Sequence, residues 1–513
     1  MRTSRSVLLL LLSWAAVACD GTAEELDAGS DAGPEPPSCE SADGGDPRAV
    51  FVLPRGGSEP FFDLPFPNDL RRTAAGTIDV RAFPHPRSND FVARYLDAIT
   101  ARLRGFGTNG AIYFRFSRSI DPASLPATPE ASLENDASVM LVDVDPESPD
   151  VGARHPIVLH YQDCGTLFWA PHTVALRPVY GIPLASSRRY AAVVTRRVRA
   201  ADGTELARDA DFQALLADGG DDAVRRARDV YGDVFERLEA AGIPRDDLLA
   251  VTVFTTQDAI GELIAIRDWM MAEYPAPRVV DGSLSVLSIA PSFTQVEGRY
   301  GPSPIFQEGE VPYASSGGAI ELGEDGVPTV HGEFEARFML TIPTTEMPPA
   351  GYPIVLYAHG TGGDYDSVVA SDTALRLARV GFAAMGVDQI HHGERNPTSL
   401  DPSILFFNFP NPDAARDNNR QSALDVVQQA RLVPHLTIPA ELVDRGGEPV
   451  RFDASRIYFM GHSQGGLNGP LYLAIDDSAR GAVLSAASAV ITLALVGKTQ
   501  PVSIPQLVRT ILN

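Results

Sequence analysis

Two textures of apolar and polar positions divide the chain. From Ala49 to about Val198 it runs in brief β-favouring stretches between clusters of Pro, Gly, Asp and Ser. Ala111 to Phe116 is bounded by Thr108-Asn109-Gly110 and by Ser117-Arg118-Ser119, and Val139 to Val144, Ile157 to Tyr161, Thr173 to Leu176 and Tyr190 to Val198 repeat the habit. A β-sandwich-like domain over residues 48–200 is the expectation. Asp209 to Ala241 reads as helix, because Val224, Ala227, Val230, Val234 and Leu238 recur at three- and four-residue steps. With a strand at Leu248 to Thr255 and a helix at Gln257 to Met271, residues 201–277 are expected to form a helical connecting region packed between domains.

Strands return over Arg278 to Pro343, most clearly at Glu333 to Ile342, and a turn-rich stretch, Thr344 to Pro353, follows. Beyond it the two textures alternate. Ile354 to Ala358, Phe382 to Val387, Ile457 to Met460 and Gly481 to Ser485 read as strands, the first a continuous apolar run of the kind a doubly covered parallel strand shows. Ala374 to Val380, Ala414 to Leu432 and Leu467 to Ile475 read as helices. Such alternation predicts right-handed crossovers, a parallel sheet and an α/β domain over 278–513, with its reactive loops on one rim. The apolar stretch Ala489 to Val496 is too short to span a bilayer and is expected in the core or in a lid.

At the N-terminus, Arg2 and Arg5, the apolar run Val7 to Leu12 and the small residues Ala15 to Ala18 read as an export signal over 1–18. Cys19 follows at once, and Ala16-Val17-Ala18-Cys19 resembles the lipobox of bacterial lipoproteins, which implies a diacylated Cys19 and attachment to a membrane. Export predicts the cell envelope, at the outer membrane or cell surface, or plain secretion if the cysteine is not acylated. Asp20 to Asp46 has no apolar periodicity, so residues 19–47 are expected to be a flexible tether.

Composition narrows the function classes. Lys and Arg number 42 against 66 Asp and Glu, a formal charge of −24, and no basic stripe interrupts that surface, so nucleic acid is excluded as an expected partner. Hydrophobic content of 44% over 513 residues is enough for more than one cored domain. The two remaining cysteines, Cys39 in the tether and Cys164, are expected as free thiols, because a large core needs no staple and Cys39 lies in a segment without periodicity. They lack metal-site spacing. No metal or organic cofactor is expected.

The chemistry concentrates at Gly461-His462-Ser463-Gln464-Gly465, where a buried strand ends and a helix begins. That is the pattern of a nucleophile elbow, with glycines on both sides of a serine whose hydroxyl projects from the sheet edge. In a chain this rich in glycine the pattern alone is weak, and its context strengthens it. The strand Ile354 to Ala358 ends in His359-Gly360-Thr361-Gly362-Gly363, the kind of loop that supplies one oxyanion-hole N–H in α/β-hydrolases.

Three further stretches carry a family resemblance: Phe62-Asp63-Leu64-Pro65-Phe66-Pro67-Asn68-Asp69-Leu70, Gly76-Thr77-Ile78-Asp79-Val80 and Phe116-Ser117-Arg118-Ser119-Ile120-Asp121-Pro122-Ala123-Ser124-Leu125. They are similar to the N-terminal domain of bacterial virulence-factor-type lipases, exported and often lipid-anchored α/β-hydrolases with a β-rich domain ahead of the catalytic one. The resemblance continues, with gaps, to the end of the chain. It implies hydrolysis of a small-molecule or lipid carboxylic ester, with Ser463 as nucleophile. It also implies that the N–H groups of Thr361 and Gln464 hold the oxyanion and that Gly360 shapes the loop. Asp388, His391 and His392, in the loop after Phe382 to Val387, are expected to shape the pocket rim or hold that loop.

A serine hydroxyl needs a base, and in this fold the order is Ser, then Asp or Glu, then His. None of the ten histidines follows Ser463. Asp476 and Asp477 follow the elbow too closely to be convincing acids and are expected to end its helix. The expectation is therefore an incomplete catalytic domain, with His391 or His392 as an alternative base from the same rim. Two other functions stay open on sequence alone: a serine peptidase or amidase, since the same elbow serves both, and a non-catalytic surface binding lipoprotein.

Overall fold

The computed structural model describes Cys39 and residues 45–57, 59–85, 90–444, 446–487, 490–499 and 503–512. The export signal, Cys19 and nearly all of the expected tether lie outside the described residues. The chain divides into two compact units, one within residues 1–259 together with 495–513, the other 260–494.

In the first unit, strands β1 (Ile112–Arg115), β3 (Ile157–Gln162) and β4 (Thr173–Pro178) form a three-stranded antiparallel sheet in the order β1-β4-β3. β2 (Val139–Asp143), β5 (Arg189–Thr195) and β6 (Leu248–Thr255) form, with the short strand Arg154–His155, a four-stranded antiparallel sheet. Val139, Leu141, Ala192 and Val194 share a core with Phe114 and Leu176 of the smaller sheet. The alternate residues Met140, Val142, Ala191 and Val193 face the other way, onto Val224, Tyr231 and Leu238. These three belong to helices that follow α1 (Ala210–Leu216), namely α2 (Asp222–Tyr231) and α3 (Val234–Ala240).

The helices add a layer that the β-sandwich-like expectation did not include. The runs in β2, β5 and β6 barely alternate, and they are buried along almost their whole length because both faces are covered. Asp209 to Ala241, expected as helix between domains, is three helices of this unit, and the expected strand Leu248 to Thr255 belongs to its sheet, whereas the helix expected at Gln257 to Met271 is Gly261–Ala272 of the other unit. Asp221 caps α2 by accepting from the Val224 N–H, and Gly232, at φ 54°, ends it. Cys39 and Cys164 are joined in a disulfide across a sequence separation of 125, not free as expected. A pairing of segments that distant is set by the fold, which spacing along the chain does not reveal.

In the second unit a nine-stranded mixed sheet carries the site. β7 (Ser285–Ile289) lies on β8 (Phe293–Ile305), which pairs antiparallel with β9 (Gly332–Pro343). β9 pairs antiparallel with β11 (Ala383–Val387). From there the pairing is parallel, through β10 (Tyr352–Ala358) to β12 (Val450–His462) and on to β13 (Ala479–Ser485). Every residue of β10 and β11 is buried, as central strands covered on both faces require. Helices α4 (Gly261–Ala272), α5 (Thr373–Arg379), α6 (Pro412–Leu432) and α7 (Gln464–Ile475) complete the layers.

Two features refine the expectation. β12 is thirteen residues long and its first two residues pair with Thr437–Ile438, whereas the apolar run marks only its end. The helix α8 (Ile491–Gly497) exposes Ile491, Leu493 and Val496, which removes the core from the two places expected for this stretch. Among the described residues no helix is long and apolar enough to cross a membrane.

Candidate active site

Ser463 stands between β12 and α7 at φ 52°, a left-handed conformation that a serine adopts only where its surroundings impose it. They impose it by proximity. A Cβ on Gly461 would lie 2.2 Å from the Gly465 carbonyl oxygen, and one on Gly465 would lie 2.1 Å from the Ala358 carbonyl oxygen. The strand-to-helix turn closes only because both positions are glycine.

The His-Gly loop comes to the same place. Parallel pairing sets Ala358 opposite Gly461, so the residues that follow each strand end emerge side by side. The Gly465 N–H donates to the His359 carbonyl (3.1 Å), and the Thr361 hydroxyl donates to Gln464 Oε1 (2.9 Å). A Cβ on Gly360 would meet the Ser463 Cβ at 3.2 Å. Of the amides in the two turns, Ser463 donates to the Ser485 carbonyl, Gly363 to Gly360, Gly362 to His392 and Gly465 to His359. Those of Gly360, Thr361 and Gln464 have no acceptor among the described residues. The last two, the expected oxyanion donors, are thus unspent beside a half-buried serine whose hydroxyl likewise has no partner among those residues. Donors in that state can bind a developing negative charge without first breaking another bond.

The residues expected at the rim are buried and occupied. Asp388 accepts from Arg337 (Nε 3.0 Å), the Tyr365 N–H (3.0 Å) and the Glu394 N–H (3.3 Å), so it holds loops together. His392 donates from Nδ1 to the Ile390 carbonyl (2.8 Å) and accepts the Gly362 N–H at Nε2 (3.0 Å). His391 is fully buried at φ 60°. Its Nε2 donates to Asn418 Oδ1 at 3.3 Å, and its Nδ1 is buried without a partner among the described residues. Burial pushes His391 down to about 4 and lowers His392 as well. Neither ring hydrogen-bonds to Ser463, so the alternative of a base from this rim finds no contact here. His462 is exposed, its Nδ1 3.2 Å from Ser485 Oγ.

Sequence reasoning passed over Gln389 and Asn468. Gln389 donates its backbone N–H to His359 Nε2 (3.2 Å) and its side-chain amide to the His359 carbonyl, and its Oε1 accepts from Asn468 Nδ2 (2.8 Å) on α7. A buried amide in a loop and another on a helix were the available signals, and burial is not visible in sequence. Among the described residues no group of three or more His, Cys, Asp or Glu is arranged to hold a metal ion.

The chain matches no protein-family model and no curated protein. Solved structures resemble part of it. Acetyl xylan esterase from Paenibacillus sp. R4 shares 19% identity over 42% of this chain and 56% of that one, with a TM-score of 0.26. Acetyl xylan esterase 1 from a Thermoanaerobacterium species shares 17% over 50% and 66%, with a TM-score of 0.30. A glucuronoyl esterase from Teredinibacter turnerae shares 12% over 42% and 46%, with a TM-score of 0.25. The chain spans roughly half to two-thirds of the length of these esterases. At such scores the likeness carries no weight of its own, and the site stands on its own geometry.

Proposed function

We propose that this protein is an exported serine hydrolase of the α/β-hydrolase type that cleaves carboxylic esters through an acyl-enzyme. The observation that carries the reading is Ser463 at φ 52° between strand and helix, with the unspent amides of Thr361 and Gln464 beside it. Ser463 Oγ bonds to the ester carbonyl carbon while the carbonyl oxygen takes up negative charge against those two amides. Collapse breaks the carbon–oxygen bond to the alcohol, which leaves with a proton. Water then attacks the acyl carbon and releases the acid and free Ser463. The proton acceptor for Oγ is not among the described contacts.

The N-terminal motifs similar to virulence-factor-type lipases favour a lipid or other small ester as substrate, and Cys19 as the site of a membrane anchor. A fluorophosphonate probe tests the central claim: labelling of the wild-type chain that disappears in Ser463→Ala supports it, and a wild-type chain that takes no label refutes it. A panel of short- and long-chain nitrophenyl esters then sorts acyl preference. Loss of the protein from membranes in Cys19→Ser tests the anchor.

A further inference from the structure

The Thr361 amide sits between two pinned neighbours. On one side His359 is held at three atoms. Its Nε2 accepts the Gln389 N–H (3.2 Å), its carbonyl accepts both the Gln389 side-chain amide and the Gly465 N–H (3.1 Å), and its Nδ1 donates to the Gly360 carbonyl (2.8 Å). On the other side the Gly362 N–H is held by His392 Nε2 at 3.0 Å. Gln389 reaches onward to Asn468 of α7 at 2.8 Å, so one side chain joins the β11 loop, the His-Gly loop and the helix that begins at the elbow. Asp388, the residue before it, ties the same loop to Arg337 and Tyr365.

We infer that Gln389 and His392 are positioning residues for the reaction proposed above, on which this inference rests: they set the Thr361 amide at a fixed place relative to that of Gln464. Neither touches substrate. They act by leaving the loop no freedom at residues 359 and 362, so that only Gly360 and Thr361 lie between fixed points. A donor fixed before the reaction costs no reorganisation when charge develops.

The arrangement requires both rings to be neutral. Each must accept at Nε2 and donate at Nδ1, to Gly360 in one case and to Ile390 in the other. The rings lie 4.9 Å apart between centroids. Burial, opposed by the bond to Gly360 and nearby Asp364 and reinforced by His392 and Arg395, takes His359 down to about 4. Burial also lowers His392, which faces Arg395, Asp388 and Asp401. Protonation at either Nε2 would set N–H against N–H and release the loop.

The test is the inactivation rate of Ser463 by a fluorophosphonate, resolved into probe binding and phosphonylation, in wild type, His392→Phe, His392→Gln and Gln389→Leu. Each variant is first shown to melt as a folded protein. His392→Phe and Gln389→Leu are expected to slow phosphonylation by about 10- to 100-fold with binding little changed, somewhat less than the loss of an oxyanion donor itself. His392→Gln, whose side-chain oxygen can accept the Gly362 N–H, should recover most of the rate. Wild-type rates in folded His392→Phe, or equal rates in the Phe and Gln variants, overturn the inference. If the wild-type chain takes no label, the hydrolase reading fails instead. Deuterium uptake over residues 358–363 then decides the brace: faster in His392→Phe supports it, unchanged uptake overturns it.

Discussion

Ser119 and Ser463 both lie among groups of the kind that hydrolases use, and of the two it is Ser463 that has the makings of a nucleophile. Ser119, in the first unit, donates to Asp163 Oδ1 (2.6 Å), the oxygen that also accepts from Tyr161 (2.5 Å) and lies 2.9 Å from His172 Nδ1. Ser, His and Asp are all present, and Ser119 Oγ also lies 3.4 Å from His172 Nδ1, but that one nitrogen faces both serine and acid. The hydrogen bonds from Ser119 and then Tyr161 hold the carboxylate below the usual range and make it a weak base. The histidine therefore cannot take the serine proton on one nitrogen while donating to the acid from the other. Ser463 has no such partners and instead has a backbone turned to φ 52° and two unspent amides beside it. Residue types do not make a nucleophile; the backbone and the donors around the hydroxyl do. The sharpest way to break this contrast is covalent labelling. Ser463→Ala is expected to lower it by more than about a thousand-fold, as loss of the nucleophile does in serine hydrolases, and Ser119→Ala to leave it unchanged. Labelling that follows Ser119 would reverse the assignment.

The next effect separates glycines needed for space from glycines needed for conformation. In Gly465→Ala the new methyl would sit 2.1 Å from the Ala358 carbonyl oxygen, which belongs to a fully buried strand and cannot yield cheaply. A loss of about 3–5 kcal/mol is expected, enough to unfold much of the second unit. Gly362 has φ 83°, and a methyl added there would meet nothing within 4 Å, so Gly362→Ala should cost only about 1 kcal/mol, through backbone strain. Equal melting temperatures for the two variants would show that the turn is looser than the contacts indicate.

The two units also differ in what solution conditions do to them. The Cys39–Cys164 bond closes a long loop in the first unit, so Cys164→Ser is expected to cost about 2–4 kcal/mol there and to leave Ser463 labelling intact. In the second unit, His359 and His391 are each lowered by burial from 6.5 to about 4. Between those values the unfolded chain binds protons that the folded chain does not. Stability is therefore fullest above about pH 6.5 and falls as the pH drops toward 4, by about 1–2 kcal/mol for each histidine at pH 5. Urea unfolding at pH 7 and pH 5, followed by the loss of Ser463 labelling, checks this. An unchanged midpoint would mean that the rings are more exposed than the fold shows.

The parts legible in sequence were those with local causes. Leu248 to Thr255 is the predicted strand residue for residue, and Ala414 to Leu432 falls within α6, whose start at Pro412 is set by Asn411 accepting from the Ala414 N–H. The glycines around Ser463 were legible because a tight turn demands them. What was not legible depends on partners far along the chain. The Asp209 to Ala241 helices take their place from the second face of a sheet whose strands lie on both sides of them in sequence. Gln389 looks like an ordinary loop polar residue until Asn468, on another element, is seen to donate to it. Asp388 and His392 were expected at the rim, and the bonds they make, to Arg337 and Gly362, join them to residues that no spacing rule connects to them.

The smallest expected effect probes the link between the two turns directly. The Thr361 hydroxyl donates to Gln464 Oε1 at 2.9 Å, joining the side chains of the two residues proposed as oxyanion donors. Thr361→Val keeps the shape and the backbone N–H and removes only that bond. Gln464 is buried and its Nε2 has no partner among the described residues, so its orientation depends heavily on this one contact. A neutral hydrogen bond of this kind is worth about 0.5–1.5 kcal/mol. If that energy serves to hold the two amides in register, phosphonylation of Ser463 should slow by about 2- to 10-fold while the melting temperature moves by only a few degrees. Thr361→Ser, which keeps the hydroxyl, should stay near wild type. A slowed Val variant with a normal Ser variant would show that the contact between the side chains positions the oxyanion donors. Equal rates in both would leave that work to Gln389 and His392.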